Sequence, residues 1–249
     1  RDTALDRMLF DWMNFLSFGF TPTATGNSDT HGRLIPTGTP RTLVRVPSDG
    51  PAALQGGVGA DVARTVLGQG GAPRDVVVTN GPMLRFYSGS EAQGGIGRTL
   101  TPTAGKLKLV VEAQAAEWSP LDTLEIFANS TFDAPKASDI TLAPMVPVVC
   151  FSTAMLSERC RGALYSGTVT EVRTTLAPGQ VRLSYKLEVE VEVAKLLTRN
   201  RAGARGQDLW LVARAFGDRA LYPVLASGLD ETTPLSAILA GDPLLDTGV

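Results

Sequence analysis

The chain has 249 residues, 43% of them hydrophobic and 19% charged, with a formal net charge of -2. That length and composition can bury a sizeable core and sit at the boundary between one domain and two. Lys and Arg are scattered without the basic patch of a nucleic-acid binder, and no apolar run approaches the roughly 18–20 residues of a membrane-spanning helix, so neither nucleic acid nor a transmembrane segment is expected.

Leu5, Met8, Leu9, Trp12 and Leu16 recur at helical spacing and predict an amphipathic helix that Gly19 ends. Phe20 to Thr25 reads as a strand running into the polar turn Gly26-Asn27-Ser28-Asp29-Thr30-His31. Residues 33–57, rich in Pro, Gly and Thr, read as irregular, and Val58 to Leu67 predicts a short helix stopped by Gly68 to Gly71. Asp75-Val76-Val77-Val78-Thr79 has the apolar density of a strand buried on both faces, closed by the turn Asn80-Gly81-Pro82.

Beyond about Gly89 the period becomes two. Leu107, Leu109, Val111 and Ala113 alternate with Lys108, Val110 and Glu112, and Leu187, Val189, Val191 and Val193 alternate with Glu188, Glu190 and Glu192. Such runs belong to an antiparallel sheet with one wet face, and Leu124 to Ala128 and Leu209 to Phe216 read as further strands of the set. A half-apolar sheet must be covered by another layer, so a β-sandwich is expected over residues 93–249, ending in a loop-like tail from Ser227. Gly94-Gly95-Ile96-Gly97 marks the junction as a linker or hairpin. It lacks the spacing and the strand-to-helix setting of a phosphate loop, as does Gly56-Gly57-Val58-Gly59. Cys150 and Cys160, ten positions apart in a segment that reads as loop or insertion, leave a disulfide and two buried thiols equally open.

Chemistry concentrates in one place. His31 is the only histidine in the sequence, and Asp29 stands two residues before it in the glycine-bearing turn. A carboxylate and an imidazole at positions i and i+2 can reach one cation or two adjacent ones. An exposed Asp beside a hydrogen-bonding His is the plain alternative.

The stretch Thr23-Ala24-Thr25-Gly26-Asn27-Ser28-Asp29-Thr30-His31-Gly32 resembles the last metal-binding motif of hydrolases of the polymerase and histidinol phosphatase (PHP) superfamily, in the carbaryl-hydrolase-like branch. The preceding Asp11-Trp12 and the later Val77-Val78-Thr79-Asn80-Gly81-Pro82 are similar to that branch at like spacing. The resemblance implies an α/β unit over 1–92, the C-terminal strands and helices of a distorted (β/α)7 barrel, before the antiparallel β-sandwich. It implies Asp29 and His31 as ligands of two or three divalent ions, zinc, manganese or iron, with Asn27 and Ser28 holding them in place. The implied chemistry is hydrolysis of phosphoester, ester or carbamate bonds in a small-molecule substrate by metal-activated water.

The family's other histidine motifs have no counterpart here. Two ligands do not close such a cluster, so the expectation is a piece of a bacterial enzyme whose site is completed by a separate or cleaved N-terminal chain. A degenerate relative acting as a non-catalytic structural or binding module is the alternative. Oligomeric state stays open, and the cysteines tilt the location toward periplasmic or secreted rather than cytoplasmic.

Overall fold

The computed structural model describes residues 3–17, 19–27, 40–48, 50–52, 57–128, 146–153, 160–197 and 209–217. Helix α1 is Thr3–Ser17, α2 Val58–Leu67, α3 the single turn Glu91–Gly94 and α4 Val193–Leu197. The strands are β1 Arg41–Val44, β2 Val76–Thr79, β3 Met83–Ser88, β4 Lys106–Ala116, β5 Thr123–Ala128, β6 Val149–Ser152, β7 Thr168–Ala177, β8 Gln180–Glu192 and β9 Leu211–Phe216. They form a two-stranded ribbon β1-β2, a four-stranded sheet β3-β4-β8-β7 and a three-stranded sheet β6-β5-β9.

The larger sheet is built on the β4–β8 ladder, in which Lys106 stands opposite Glu192 and Ala116 opposite Arg182. Alternation decides its faces. Leu107, Leu109, Val111 and Ala113 of β4 and Leu183, Tyr185, Leu187 and Val191 of β8 turn inward and meet Leu124, Ile126, Ala128 and Val149 of the smaller sheet in one apolar cluster. Burial of this kind contributes about 25 cal/mol per Å² of apolar surface, which makes it the main cohesive term. β7 and β8 are joined through Pro178-Gly179, with Gly179 at φ 72°, a backbone setting that glycine supplies without strain.

The smaller sheet has a second cover. Phe10 and Met13 of α1 pack with Phe127 of β5, flanked by Trp12, Trp210 and Val212. Trp210 Nε1 donates to Ser17 Oγ at 3.1 Å, and Ser17 Oγ donates to the Met13 carbonyl. Met8 and Phe15 are exposed, so the buried stripe differs from the one expected from the sequence. Apolar residues surround α1, and Phe127 and Trp210 select which of them are covered.

Lying between these two covers, β5 is buried along its whole length. Glu125, 1% exposed, therefore needs a partner. Arg214 supplies it from β9, with Nε at 2.8 Å and Nη2 at 2.7 Å from Glu125 Oε2. The guanidinium carbon lies 5.2 Å from the Phe127 ring centre and 5.1 Å from that of Phe216, within cation–π range.

The distorted (β/α)7 barrel expected for residues 1–92 does not form. Such a barrel needs parallel strands joined by helical crossovers, whereas every ladder between the strands named above is antiparallel. The valine run expected to be buried on both faces lies in the short ribbon, where Val76 and Val77 are half-buried and Val78 is exposed. Residues 20–25 form no strand. β3 lies before position 92 and pairs with β4 in the four-stranded sheet.

Cys150 and Cys160 form a disulfide with Cα atoms 5.3 Å apart, and Cys150 lies in β6 rather than in a loop. Among the described residues, no helix is long and apolar enough to cross a membrane.

Three stability outcomes follow from this packing. Glu125→Ala removes the buried carboxylate that Arg214 holds across the ladder and is expected to lower the unfolding free energy by about 3 kcal/mol, read from urea denaturation. The paired replacement Glu125→Leu with Arg214→Met should recover most of that loss. Replacing both cysteines by serine opens a short loop and should cost about 2–3 kcal/mol, read as a fall in the urea midpoint.

Candidate functional site

Asp29, His31 and Ser28 lie outside the described residues, and Asn27, on the chain just before them, is exposed. The segment leading to them is held at successive points. The Phe20 amide donates to the Phe15 carbonyl, and Trp12 Nε1 donates to the Pro22 carbonyl at 2.8 Å, which ties the segment to α1. Arg74 Nη1 donates to Thr21 Oγ1 at 3.0 Å. Thr23 Oγ1 donates to the Val66 carbonyl in α2 at 2.5 Å. Thr42 Oγ1 in β1 accepts from the Gly26 amide at 2.9 Å and donates to the Gly26 carbonyl at 2.8 Å. Side-chain hydroxyls, one indole, one guanidinium and a single backbone bond thus replace the strand ladder that the sequence led us to expect.

Glycine at position 26 sits close against the ribbon: a β-carbon there would lie 2.6 Å from Val78 Cγ1, so a larger residue would force the Val78 side chain or the segment itself to shift. The chain at Gly26, three residues before Asp29, is therefore held against β1 and β2 by a close approach and a pair of hydrogen bonds.

A second cluster ties the ribbon to the larger sheet. Arg45, just after β1, pairs with Asp75 at 2.6 Å and with Glu91 of α3. Burial raises the Asp75 carboxyl above its ordinary value, and Arg45 opposes the shift. Gly97, at φ 74°, lets the chain pass over the Arg74 backbone, where a β-carbon would lie 2.4 Å from Arg74 N. The glycines around 94–97 thus serve close packing and turns.

The outer face of the four-stranded sheet carries a charge ladder. Lys106 pairs with Glu190 at 2.7 Å, Lys186 with Glu188 at 3.1 Å and Lys195 with Glu192 at 2.7 Å. These exposed pairs neutralise one another and leave no concentrated field for steering a ligand. Among the described residues no group of three or more His, Cys, Asp or Glu is placed to hold a metal ion.

Among the described residues the tryptophans and tyrosines have separate settings, and Tyr222 lies outside them. Trp118 is exposed after β4, Trp210 packs under α1, and the Tyr165 and Tyr185 hydroxyls accept the Glu192 and Leu121 amides. Sequence reasoning did not single out Glu125, although a lone carboxylate inside the apolar run Leu124 to Ala128 is the signal that marks it.

Comparison with protein-family models, with curated proteins and with solved structures gave no match for this chain. The likeness to the hydrolases therefore rests on the residues quoted for it.

One titration reports directly on the charged face. Tyr87 is pushed up from an ordinary 10.0 to about 12, first by desolvation and then by its hydrogen bond to Glu112, 2.8 Å away. With its folded-state pKa raised, Tyr87 contributes stability that is fully present below pH 10.0 and is lost as pH rises through about 12. Glu112→Gln should bring the phenol part of the way back toward 10.0, leaving the desolvation shift, as followed by ultraviolet phenolate absorbance.

Proposed function

We propose that the chain is part of a metal-dependent hydrolase acting on phosphoester, ester or carbamate bonds of a small molecule. In this reading Asp29 and His31 supply a carboxylate and an imidazole to divalent cations whose other ligands belong to another polypeptide. The observation that carries it is the fixed root of their turn, where Gly26 is bonded through both backbone polar groups to Thr42 and sits against Val78. A short turn that must present two donors to a cation needs such an anchored base, because ligand groups are effective only when their geometry is held.

The donor chemistry suits zinc, manganese or iron, since imidazole and carboxylate together fit borderline and hard divalent ions. When bound, such cations acidify water near neutral pH and stabilise the charge that develops on the attacked oxygen. The chain's own part is to place Asp29 and His31 side by side, with Asn27 and Ser28 restraining them through the turn. The Cys150–Cys160 disulfide supports an oxidising, extracytoplasmic location, because such bonds persist there.

The test is a metal census by mass spectrometry on the protein purified with any companion polypeptide. Stoichiometric zinc, manganese or iron that is lost in Asp29→Ala and in His31→Ala is the expected result. Metal-free wild-type protein in a stable assembly, or metal content indifferent to both substitutions, would overturn the reading and leave a non-catalytic binding or assembly module.

A further inference from the structure

β7 is an end strand of the four-stranded sheet, and its ten residues are mostly exposed. It is the longest end strand in the two main sheets. The opposite edge, β3, has α3 beside it, with Gly94 so near that a β-carbon would lie 2.1 Å from the Ser88 carbonyl oxygen. β6 bonds back to Tyr165, whose amide donates to the Val148 carbonyl and whose carbonyl accepts from the Cys150 amide. β7 has no such cover among the described residues. Its sequence, Thr168 to Ala177, contains no Lys or Pro, and the two charges it carries, Glu171 and Arg173, are of opposite sign, so they can attract a second strand as well as repel one. Val172 at its centre is 53% exposed.

We propose that β7 is the site at which a second copy of this chain adds, antiparallel and about a two-fold axis through Val172, to continue the sheet across both molecules. The proposal goes beyond the hydrolase reading and does not depend on it. Its basis is the charge order of the strand. A two-fold axis perpendicular to the sheet keeps each face on its own side, so only residues of equal parity can stand opposite one another. Centring the axis on Glu171 sets that carboxylate against its own copy, and centring it on Arg173 does the same for two guanidiniums. Directly opposed like charges are destabilising.

The Val172 centre sets Glu171 opposite the second copy's Arg173 on both sides of the axis. It also places Thr170 opposite Thr174 and brings the two exposed Val172 side chains together. Glu171 and Arg173 share the face of Tyr185 and Leu183, their ladder partners in β8. Glu171 has no ion pair among the described residues, while Arg173 pairs with Glu117 and would then lie between two carboxylates. A centre at Thr174 matches Val172 with Leu176, yet it forgoes both charge pairs. It also runs more of its overlap through the irregularity between Thr175 and Ala177.

The test is sedimentation equilibrium of the 249-residue chain, combined with cysteine cross-linking. Wild-type protein should show a reversible monomer–dimer equilibrium. Glu171→Arg should weaken the dimer at least about tenfold, by the loss of roughly 1.4 kcal/mol or more as two attractions become repulsions. The exchange Glu171→Arg with Arg173→Glu should restore it. Under mild oxidation Val172→Cys should cross-link the dimer, because opposed residues have Cα atoms about 4.5–5.5 Å apart. Thr174→Cys should not, since its copy lies about 14 Å further along the strands. Circular dichroism checks that each variant keeps the fold. A chain that stays monomeric, including one that binds only a foreign strand, would overturn the proposal. So would a dimer indifferent to Glu171→Arg, or cross-linked equally through either cysteine.

Discussion

The molecule is organised around a strand that has no wet side. β5 gives Leu124, Ile126 and Ala128 to the core shared with β4 and β8, and Phe127 to the contact with α1. Both layers are therefore joined through six residues. A strand in that position tolerates a polar side chain only if its partner is built in, and Arg214 answers Glu125 across the ladder while two phenyl faces flank the guanidinium. The arrangement fixes the register of β9 on β5, because a shift by one residue would carry Arg214 to the wrong face.

Much of the larger sheet was legible in the sequence. In β4 and β8 aliphatic residues alternate with mostly charged ones through Leu107–Ala113 and Leu187–Val193, which is the period of a strand with one wet face. β7 escaped notice because both of its faces are polar or exposed, so no apolar period marks it. The helix α1 was legible as a helix but not in its orientation: with Met8, Leu9, Phe10, Trp12, Met13, Phe15 and Leu16 in one short segment, the choice of buried stripe depends on distant β5 and β9. The valines at 76–78 misled for a related reason. Apolar density reports that a strand will be covered somewhere, not that it will lie at the centre of a parallel sheet.

The candidate site was legible only as chemistry. Asp29-Thr30-His31 names two donors, but spacing along a chain does not say what stands behind the turn. The restraint on its base comes from Thr42, Val66 and Arg74, far away in sequence and individually unremarkable there. Single side chains bonding to backbone groups leave no periodic signature. The Arg45 node with Asp75 and Glu91 is similar: three common surface residue types become a joint between ribbon and sheet only when the fold brings them together.

The ladder at the centre of the larger sheet also bears on how the chain can be made. Lys106 stands opposite Glu192 and Ala116 opposite Arg182, so one hydrogen-bonding edge of β4 must wait for most of the intervening polypeptide before its neighbour exists. Contacts so distant in sequence slow folding, since a long loop must close before any of them forms. During synthesis Leu107, Leu109 and Val111 are followed closely by β5, which covers them across the core, but only much later by β8, which pairs alongside them. A chain stopped short of β8 would leave that edge of β4 unpaired, an open template for a strand of another molecule, until residues 180–192 arrive to close it.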